Sequence, residues 1–233
     1  RVHPLTLGVV AGIIKRHDPG HRVTIIDENN ARADRDGRFD LVGITVNTYT
    51  APRAFEIADR YRARGKPVVL GGVHATLMSE ECLQHADAVV AGEAEETLPK
   101  LLDDLPAGRL KRLYTAEPLA DLNLVPNPER GVFRLRRPNA AYVQATRGCR
   151  NRCRFCYLQY VSWGGHRARP VRAVLDEQQL PLSQVLALKV GDTLMLNATP
   201  DSDISVRCGS IPVTTGKMGR KGQHIAVRVE API

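Results

Sequence analysis

Residues 67–76 read PVVLGGVHAT, an apolar run that ends in two glycines and continues into small residues. A continuous apolar run of this length, without polar alternation, is typical of a strand buried on both faces of a parallel sheet. Helical patterns flank it at 51–64 and 95–105, and Pro52 stands where a first helical turn tolerates proline. Comparable apolar runs occur at 23–27 (VTIID), 40–46 (DLVGITV) and 88–92 (AVVAG). This alternation of strands and helices predicts an α/β fold with a parallel sheet covered on both faces.

Short segments of small and polar residues follow three of these predicted strands. Ligands of open parallel sheets bind at the carboxyl ends of the strands, and glycine at such a point lets a flat ligand approach the backbone. The alternative is that these residues merely form the loops that end each strand. The candidate ligand-contacting residues are Asn47, Thr48, Thr50, Gly71, Gly72, His74, Thr76, Gly92 and Glu93.

The words GGVHAT at 71–76 and GEAEET at 92–97 resemble the cobalamin-binding domain that precedes the barrel in one class of radical SAM enzymes. The resemblance covers most of 5–96 and implies a Rossmann-like domain that binds cobalamin. The DxHxxG motif, whose histidine binds cobalt in mutases and methionine synthase, does not occur here. We therefore expect His74 beside the corrin, with cobalt ligation left open. The strand expected before Pro4 is missing, so we expect weak cobalamin binding at best.

Three cysteines at 149–156, in the run CRNRCRFC, form the second informative pattern. Three thiolates on one loop can hold three irons of a 4Fe-4S cluster and leave the fourth iron open, unlike four-cysteine ferredoxin runs. A zinc site would usually bring a second cysteine pair or histidines downstream. Only Cys208 follows, and Cys208 and Cys82 are expected to be small buried residues far from the loop. The predicted metal ligands are Cys149, Cys153 and Cys156.

The sequence from Val143 to Cys156 resembles the cluster-binding loop of radical SAM enzymes, with Phe155 as the aromatic residue usual before the third cysteine. The resemblance implies that S-adenosylmethionine chelates the open iron, with Phe155 among the cofactor-binding residues. It also implies that one electron from the cluster splits the sulfonium and releases a 5′-deoxyadenosyl radical. The residues independently predict a short strand at 142–145, a turn at Gly148 and the thiolates on the loop beyond.

Charge is unevenly distributed along the chain. The net charge is +8, yet the segment from 131 to 175 has ten arginines and no acidic residue, so the remainder sums to −2. A basic block can indicate nucleic acid, but here it surrounds a loop expected to hold an anionic cluster, so we expect no nucleic-acid partner. No apolar run is long enough to cross a membrane, and no signal peptide opens the chain. Clustered, unpaired cysteines favour the reducing cytoplasm.

The segment from about 177 to 233 has a different pattern. Short runs at 193–196, 204–208, 211–214 and 224–229 alternate with Gly, Asn and Asp turns and predict a small antiparallel β domain. The words LKVGDTL and AVRV resemble the C-terminal domain of the flagellar motor switch protein and its type III secretion relatives. The resemblance implies self-association or rotor and secretion partners. A solvated basic turn is expected at Lys217, Arg220 and Lys221.

These patterns predict three segments: a cobalamin-binding-like α/β domain (1–106), a linker with the truncated start of a radical SAM barrel (107–176), and a motor-switch-like β domain (177–233). The first hypothesis is a fragment of a cobalamin-dependent radical SAM enzyme, catalysing methyl transfer or a radical rearrangement in its parent and inactive as this chain alone. Its fusion to a switch module indicates either a chimeric or fragmentary reading frame or a true fusion. The alternative hypothesis is a non-enzymatic flagellar switch or type III secretion subunit that self-associates through its β domain.

Overall fold

The computed structural model describes residues 4–28, 39–116, 119–133, 143–151, 153–161, 165–170, 193–196, 203–208, 211–221 and 224–232. The chain divides into two compact units. The N-terminal unit comprises His3–Pro138 and Gly148–His166, and the C-terminal unit comprises Arg1–Val2, Asn139–Arg147 and Arg167–Ile233. The loop with the three cysteines therefore belongs to the N-terminal unit.

A four-stranded parallel sheet forms the centre of the N-terminal unit. Its strands pair in the order β1-β2-β3-β4. Val42 of β1 lies opposite Val68 of β2, and Val89 of β3 lies opposite both Leu70 and Leu113. The bounds are Val42–Thr45 (β1), Val68–Gly71 (β2), Ala88–Ala91 (β3) and Leu113–Thr115 (β4). The predicted parallel α/β fold is confirmed.

The helices of this unit are short and amphipathic. They are α1 (Leu5–His17), α2 (Ala51–Arg62), α3 (Val73–Leu77), α4 (Ser79–His85), α5 (Thr97–Asp104) and α6 (Leu158–Val161), with single 3-10 turns at Thr48–Thr50 and Arg130–Val132. Helix α2 begins with Pro52 in its first turn, as predicted, and buries Ala51, Ala54, Ala58 and Tyr61. This three- and four-residue spacing places one apolar face against the sheet.

Helices pack on both faces of the sheet, because alternate residues of a strand point in opposite directions. Val68 and Leu70 of β2 belong to one core with residues of α2, α3 and α4. Val69, between them, belongs to a second core with α1 and α5. Burial on both faces explains why the sequence of β2 is apolar without interruption.

Two details of this sheet differ from the prediction. The run Val23–Asp27 does not form a strand, since only Ile25 makes a bridge, which is parallel and joins Phe133. A strand needs a partner for successive backbone groups, and this run finds one at a single residue. Strand β4 was not predicted, yet it pairs along β3 and buries Tyr114. The linker segment thus supplies part of the α/β core.

The C-terminal unit contains two antiparallel sheets. Strands β5 (Thr146–Arg147) and β6 (Arg167–Ala168) pair with each other. The larger sheet has the order β7-β10-β9-β8, with bounds Thr193–Leu196, His224–Pro232, Ile211–Lys221 and Asp203–Cys208 respectively. The predicted antiparallel β domain is confirmed.

Two predictions in this unit need correction. Strand β9 runs to Lys221, so Lys217, Arg220 and Lys221 lie in a strand rather than in a turn, because pairing with both β8 and β10 extends it past Thr214. The strand predicted at 142–145 begins only at Thr146, where pairing with β6 becomes available, and Tyr142 lies outside the described residues. Among the described residues, no helix combines the length and apolar character needed to cross a membrane.

Candidate functional site at the carboxyl edge of the parallel sheet

The loops after β1 and β2 meet at the carboxyl edge of the sheet. The backbone N–H of Val46 donates to the carbonyl of Gly71 at 2.8 Å, and the N–H of His74 donates to the carbonyl of Val46 at 3.0 Å. Parallel strands place their carboxyl ends on one edge, so the loops that begin at Val46, Gly71 and Gly92 converge there. The predicted convergence of these segments is therefore observed.

Gly72 is the closest point between the first two loops. Its φ is +98°, a backbone conformation that side chains other than glycine rarely adopt. A β-carbon built there would lie 2.8 Å from the Thr45 hydroxyl and 2.9 Å from the Val46 carbonyl oxygen. The absence of a side chain at Gly72 thus serves contact between two loops. That Gly72 also admits a ligand stays a prediction; the structure shows that the position serves loop packing.

The hydroxyl of Thr76 joins the loops after β2 and β3. It donates to the carbonyl of Gly72 at 2.9 Å and accepts from the N–H of Gly92 at 2.9 Å. Both glycines have positive φ, +98° at Gly72 and +89° at Gly92. Thr76 therefore links two turns that depend on glycine, and both of the bonds made by its hydroxyl are internal to the protein.

The loop after β3 also contacts the segment beyond β4. A β-carbon at Gly92 would lie 3.3 Å from that of Ala116. A carboxylate oxygen of Glu93 accepts from the N–H of Ala120 at 2.9 Å. Ala116 and Ala120 could not be found from the sequence, because neither belongs to a motif and both follow an unpredicted strand. They are nevertheless buried parts of this edge.

The loop after β1 forms an exposed rim beside these contacts. The Thr50 hydroxyl accepts from the N–H of Asn47 at 3.1 Å and donates to the carbonyl of Asn47 at 3.0 Å. This exchange closes the 3-10 turn and uses the Thr50 side chain internally. Asn47 and Thr48 are exposed, and Tyr49 is 85% exposed. The exposed polar side chains of this rim are those of Asn47, Thr48 and Tyr49.

His74 does not extend toward the rim. Its side chain is 7% exposed, and Nε2 lies 3.2 Å from a carboxylate oxygen of Glu81 on α4. The two atoms are not aligned for a hydrogen bond, so Nε2 is buried without one. The His74 ring also lies 6.0 Å, between centroids, from that of Phe55 on α2. The imidazole thus lies among helices, which does not favour cobalt ligation.

The three predicted metal ligands lie on the loop before α6. All three thiols are free and partly buried. The N–H of Asn151 lies 3.4 Å from Cys149 Sγ, and the N–H of Cys156 donates to the carbonyl of Cys153 at 3.0 Å, which closes a turn. Phe155, inside this turn, is 92% exposed. Within the part of the chain that the structure describes, no three His, Cys, Asp or Glu side chains are grouped closely enough to hold a metal ion.

Cys82 differs from these three cysteines. It is fully buried in α4, and burial, followed by the nearby Glu81 carboxylate, raises the pKa of its thiol to about 11. A thiol with a raised pKa remains protonated at neutral pH and is a poor nucleophile and metal ligand. The expectation that Cys82 is a small buried residue is confirmed. Cys208 is the last residue of β8.

Two donor sets of the N-terminal unit fit two cofactors to different degrees. A cysteine-only set is the soft donor set that iron–sulfur clusters use. In the described structure, however, the three sulfurs do not lie close enough together to hold a metal ion. The rim of Asn47 and Thr48, beside backbone that carries no side chains at Gly71 and Gly92, fits a corrin held by polar contacts and backbone. It does not fit a corrin whose cobalt is bound by His74, because that imidazole faces Glu81.

Two protein families match separate parts of the chain. The B12 binding domain family matches residues 1–102. The family described as type III flagellar switch regulator (C-ring) FliN C-term matches residues 169–233. The segment between the two matches, which contains the cysteine loop, lies outside both.

Individual relatives are of the same two kinds, although the methyltransferase matches extend beyond the segment that the B12 binding domain family matches. The bacteriochlorophyllide d C-8(2)-methyltransferase of Chlorobaculum tepidum is 38% identical over 162 residues, covering 65% of this chain and 35% of that protein. The C-12(1)-methyltransferase of the same organism is 33% identical over 213 residues, covering 88% of this chain and 44% of that protein. The flagellar motor switch protein FliM of Caulobacter vibrioides is 60% identical over 78 residues, covering 30% of this chain and 21% of that protein. This chain therefore spans less than half the length of each.

Proposed function

We infer that the N-terminal unit derives from a cobalamin-dependent radical SAM methyltransferase. In this chain, a segment that matches a B12 binding domain (residues 1–102) is joined to one that matches a flagellar switch C-terminal domain (residues 169–233). The observation that carries this proposal is the convergence of three loops at the carboxyl edge of the parallel sheet, inside the B12-matching segment. Two relatives that are methyltransferases support the reaction class.

The residues at this edge have distinct proposed roles. Asn47 and Thr48 offer polar side chains to the rim of the corrin. Gly71 and Gly92 are partly exposed and present backbone beside them. Gly72, Thr50 and Thr76 hold the loops in place, and the N–H of Gly92 contributes to this through its bond to Thr76. His74 supports the helices behind the loops. Cobalamin, when bound, supplies the group-transfer chemistry of its cobalt.

The cysteine loop has a second proposed role. Cys149, Cys153 and Cys156 would hold a 4Fe-4S cluster, which together with S-adenosylmethionine supplies radical chemistry. Phe155, exposed beside the third cysteine, is available to contact S-adenosylmethionine. An N–H near the Cys149 sulfur is the kind of contact that tunes such a cluster. We propose that this segment works in the reducing cytoplasm, where thiols remain unpaired.

Cobalamin binding is tested by equilibrium dialysis of the full chain with hydroxocobalamin. We expect weak binding that the double variant Asn47→Ala/Thr48→Ala weakens further. The matched control is Lys66→Ala, because Lys66 precedes β2 and so lies at the opposite edge of the sheet. Equal binding by both variants would contradict the proposed location of the corrin.

Cluster binding is tested by anaerobic reconstitution with iron and sulfide. We expect Cys153→Ala to lose most of the bound iron and sulfide, since it removes one of three ligands, and Cys82→Ala to retain the wild-type content. Unchanged iron in Cys153→Ala would rule out the proposed ligand set.

Catalysis by this chain alone is not expected. Positioning of a substrate accounts for a large part of enzymatic rate gains, and the sequence after β6 matches a flagellar switch family instead of further barrel strands. Reconstituted protein with dithionite and S-adenosylmethionine should give no more 5′-deoxyadenosine than a variant lacking all three loop cysteines. Turnover above that control would show that the present residues complete a working site.

A second candidate function rests on the C-terminal unit. The 60% identity to a FliM protein favours a non-enzymatic role for this unit, in which it assembles with flagellar switch or type III secretion subunits. Light scattering over a concentration series should then show self-association of the full chain. A monomer at all concentrations, combined with cobalamin binding, would favour the first function. Sequencing the source DNA across the codons for residues 171–182 distinguishes a natural fusion from a chimeric frame.

A further inference from the structure

Cys153 and Cys156 stand at the two ends of one tight turn, just before α6. The N–H of Cys156 donates to the carbonyl of Cys153 at 3.0 Å, with Arg154 and Phe155 between them. A four-residue turn closed in this way brings its end Cα atoms within about 7 Å of each other. Disulfides join cysteines whose Cα atoms lie about 4.4–6.8 Å apart. The backbone of this turn therefore suits a disulfide between its two ends.

The turn is fixed on its C-terminal side by the helix that follows it. The carbonyl of Tyr157, the next residue, accepts from the N–H groups of Tyr160 and Val161 at 2.9 Å and 3.1 Å, and these bonds close the single turn of α6. Helix α6 packs against α3, which follows β2. The closeness of Cys153 and Cys156 thus depends on the folded N-terminal unit as well as on their spacing in the sequence.

Cys149 is placed differently from the other two cysteines of the loop. Its Sγ accepts a hydrogen bond from the N–H of Asn151 at 3.4 Å, so the sulfur folds back over its own segment. Cys149 also lies outside the turn that joins Cys153 to Cys156. In the part of the chain that the structure describes, no three thiols come close enough to hold a metal ion, yet the turn brings the backbones of two cysteines together. The loop is thus arranged for a pair of thiols.

Solvent reaches this turn, and the charge around it is positive. Phe155 is 92% exposed, and Arg150 and Arg154 are also exposed. The thiols of Cys153 and Cys156 are free and only partly buried. No acidic residue occurs in the sequence from 131 to 175, so the charge of this segment favours the approach of an anionic reagent. Oxidised glutathione, a small anionic disulfide, has the chemistry that this turn would accept.

We propose that Cys153 and Cys156 form a reversible disulfide, and that this disulfide prevents the loop from binding a cluster. One protein thiol attacks the sulfur–sulfur bond of oxidised glutathione and releases one reduced glutathione. The second thiol attacks the resulting mixed disulfide and releases another. The two protein thiols lose two electrons and two protons, which the two glutathione molecules take up. Disulfides of this kind in a reducing compartment are transient and redox-sensing. The clause about the cluster rests on the proposed function, whereas the disulfide does not.

The first test maps disulfides in the full chain, reduced and free of metal, after incubation with oxidised glutathione. Remaining thiols are blocked with N-ethylmaleimide, and a tryptic digest is analysed by mass spectrometry without reduction. Trypsin cuts after arginine, so the three loop cysteines fall in separate peptides at 148–150, 153–154 and 155–167. We expect the last two peptides to be linked, or to remain as one peptide, 153–167, that is lighter by two hydrogen atoms. The peptide 148–150 should take part in no link.

Two variants and one change of condition are the controls. Cys149→Ser should form the link as fully as the wild-type chain, because Cys149 lies outside the turn. Cys153→Ser should leave Cys156 with bound glutathione and without a link to Cys149. In urea, where the turn is lost, links that include Cys149 should increase. Links to Cys149 as the main product of the folded chain, or glutathione on Cys153 and Cys156 without a link between them, would overturn the proposal.

The second test asks whether the disulfide and the cluster exclude each other. The reduced chain is loaded anaerobically with iron and sulfide, freed of excess reagents and then given oxidised glutathione. We expect severalfold less of the link than in the metal-free chain, because the cluster occupies both thiols. Equal amounts of the link in the iron-loaded and metal-free chains would overturn the exclusion. A chain that forms the link but binds no iron would contradict the proposed function and the exclusion together, while confirming the disulfide.

Discussion

Replacing Thr76 with valine tests the junction between the loops after β2 and β3. Valine keeps the shape of threonine and removes only the hydroxyl, which donates to the Gly72 carbonyl and accepts from the Gly92 N–H. The Gly72 carbonyl keeps a second bond, from the backbone N–H of Thr76 at 3.0 Å. The main loss is therefore the partner of Gly92, a partly buried donor.

The loss of stability in Thr76→Val depends mainly on the cost of leaving the Gly92 N–H without a partner. A donor left without a partner costs about 1–3 kcal/mol when buried, and less where water can reach it. We expect the free energy of unfolding to fall by about 1–2 kcal/mol, which corresponds to a urea midpoint about 0.5–1 M lower. Far-UV circular dichroism is the appropriate signal, because all described helices belong to the N-terminal unit.

Two controls make the measurement decisive. Thr76→Ser keeps the hydroxyl and should lose much less stability than Thr76→Val. Thr97→Val removes a hydroxyl that donates only to the Glu93 carbonyl at 3.0 Å, so its effect should be smaller because no donor of another loop is stranded. A valine variant as stable as wild type, or a serine variant as weak as valine, would refute the reasoning.

Three further predictions concern the same unit. Gly72→Ala should lower the free energy of unfolding of this unit by about 1–3 kcal/mol, because the backbone at positive φ is strained for alanine and two atoms lie within 3 Å of the new β-carbon. The control Gly71→Ala, whose β-carbon would lie 3.6 Å from its nearest neighbour, should cost little. Urea unfolding measures both. Iodoacetamide at pH 8 should leave Cys82 unlabelled in the native protein, because its raised pKa keeps the thiol protonated, while mass spectrometry finds label on the loop cysteines. Labelled Cys82 in folded protein would contradict its burial. Tyr114→Phe should cost about 1–2 kcal/mol, since the phenol donates to a carboxylate of α5 and accepts from the N–H of Lys111, both at 3.0 Å; an unchanged urea midpoint would contradict this prediction.

Continuous apolar runs predicted β1, β2 and β3 to within two residues at each end, because burial on both faces requires apolar residues at every position. The run at Val23–Asp27 has the same composition but forms a single bridge. Strand β4 has only three residues, followed closely by a proline, and was missed. Pairing partners, which composition does not encode, decided both cases.

The candidate site shows the same limit at the level of side chains. The sequence predicted which loops converge, because strand direction alone determines that. It could not predict that the hydroxyls of Thr50 and Thr76 are used inside the protein, since each bond depends on a loop conformation. The direction of His74 was also beyond the sequence, because Phe55 and Glu81 come from helices on either side of it along the chain.

Strand β4 changes where the α/β domain can be cut for recombinant expression. A fragment ending at residue 106 would leave β3 as a bare sheet edge and remove the buried side chains of Tyr114, Leu122 and Val125 from the core around α1 and α5. Bare edges and uncovered apolar surface lead to aggregation. A soluble fragment should therefore extend at least to Phe133, well past the family match that ends at residue 102.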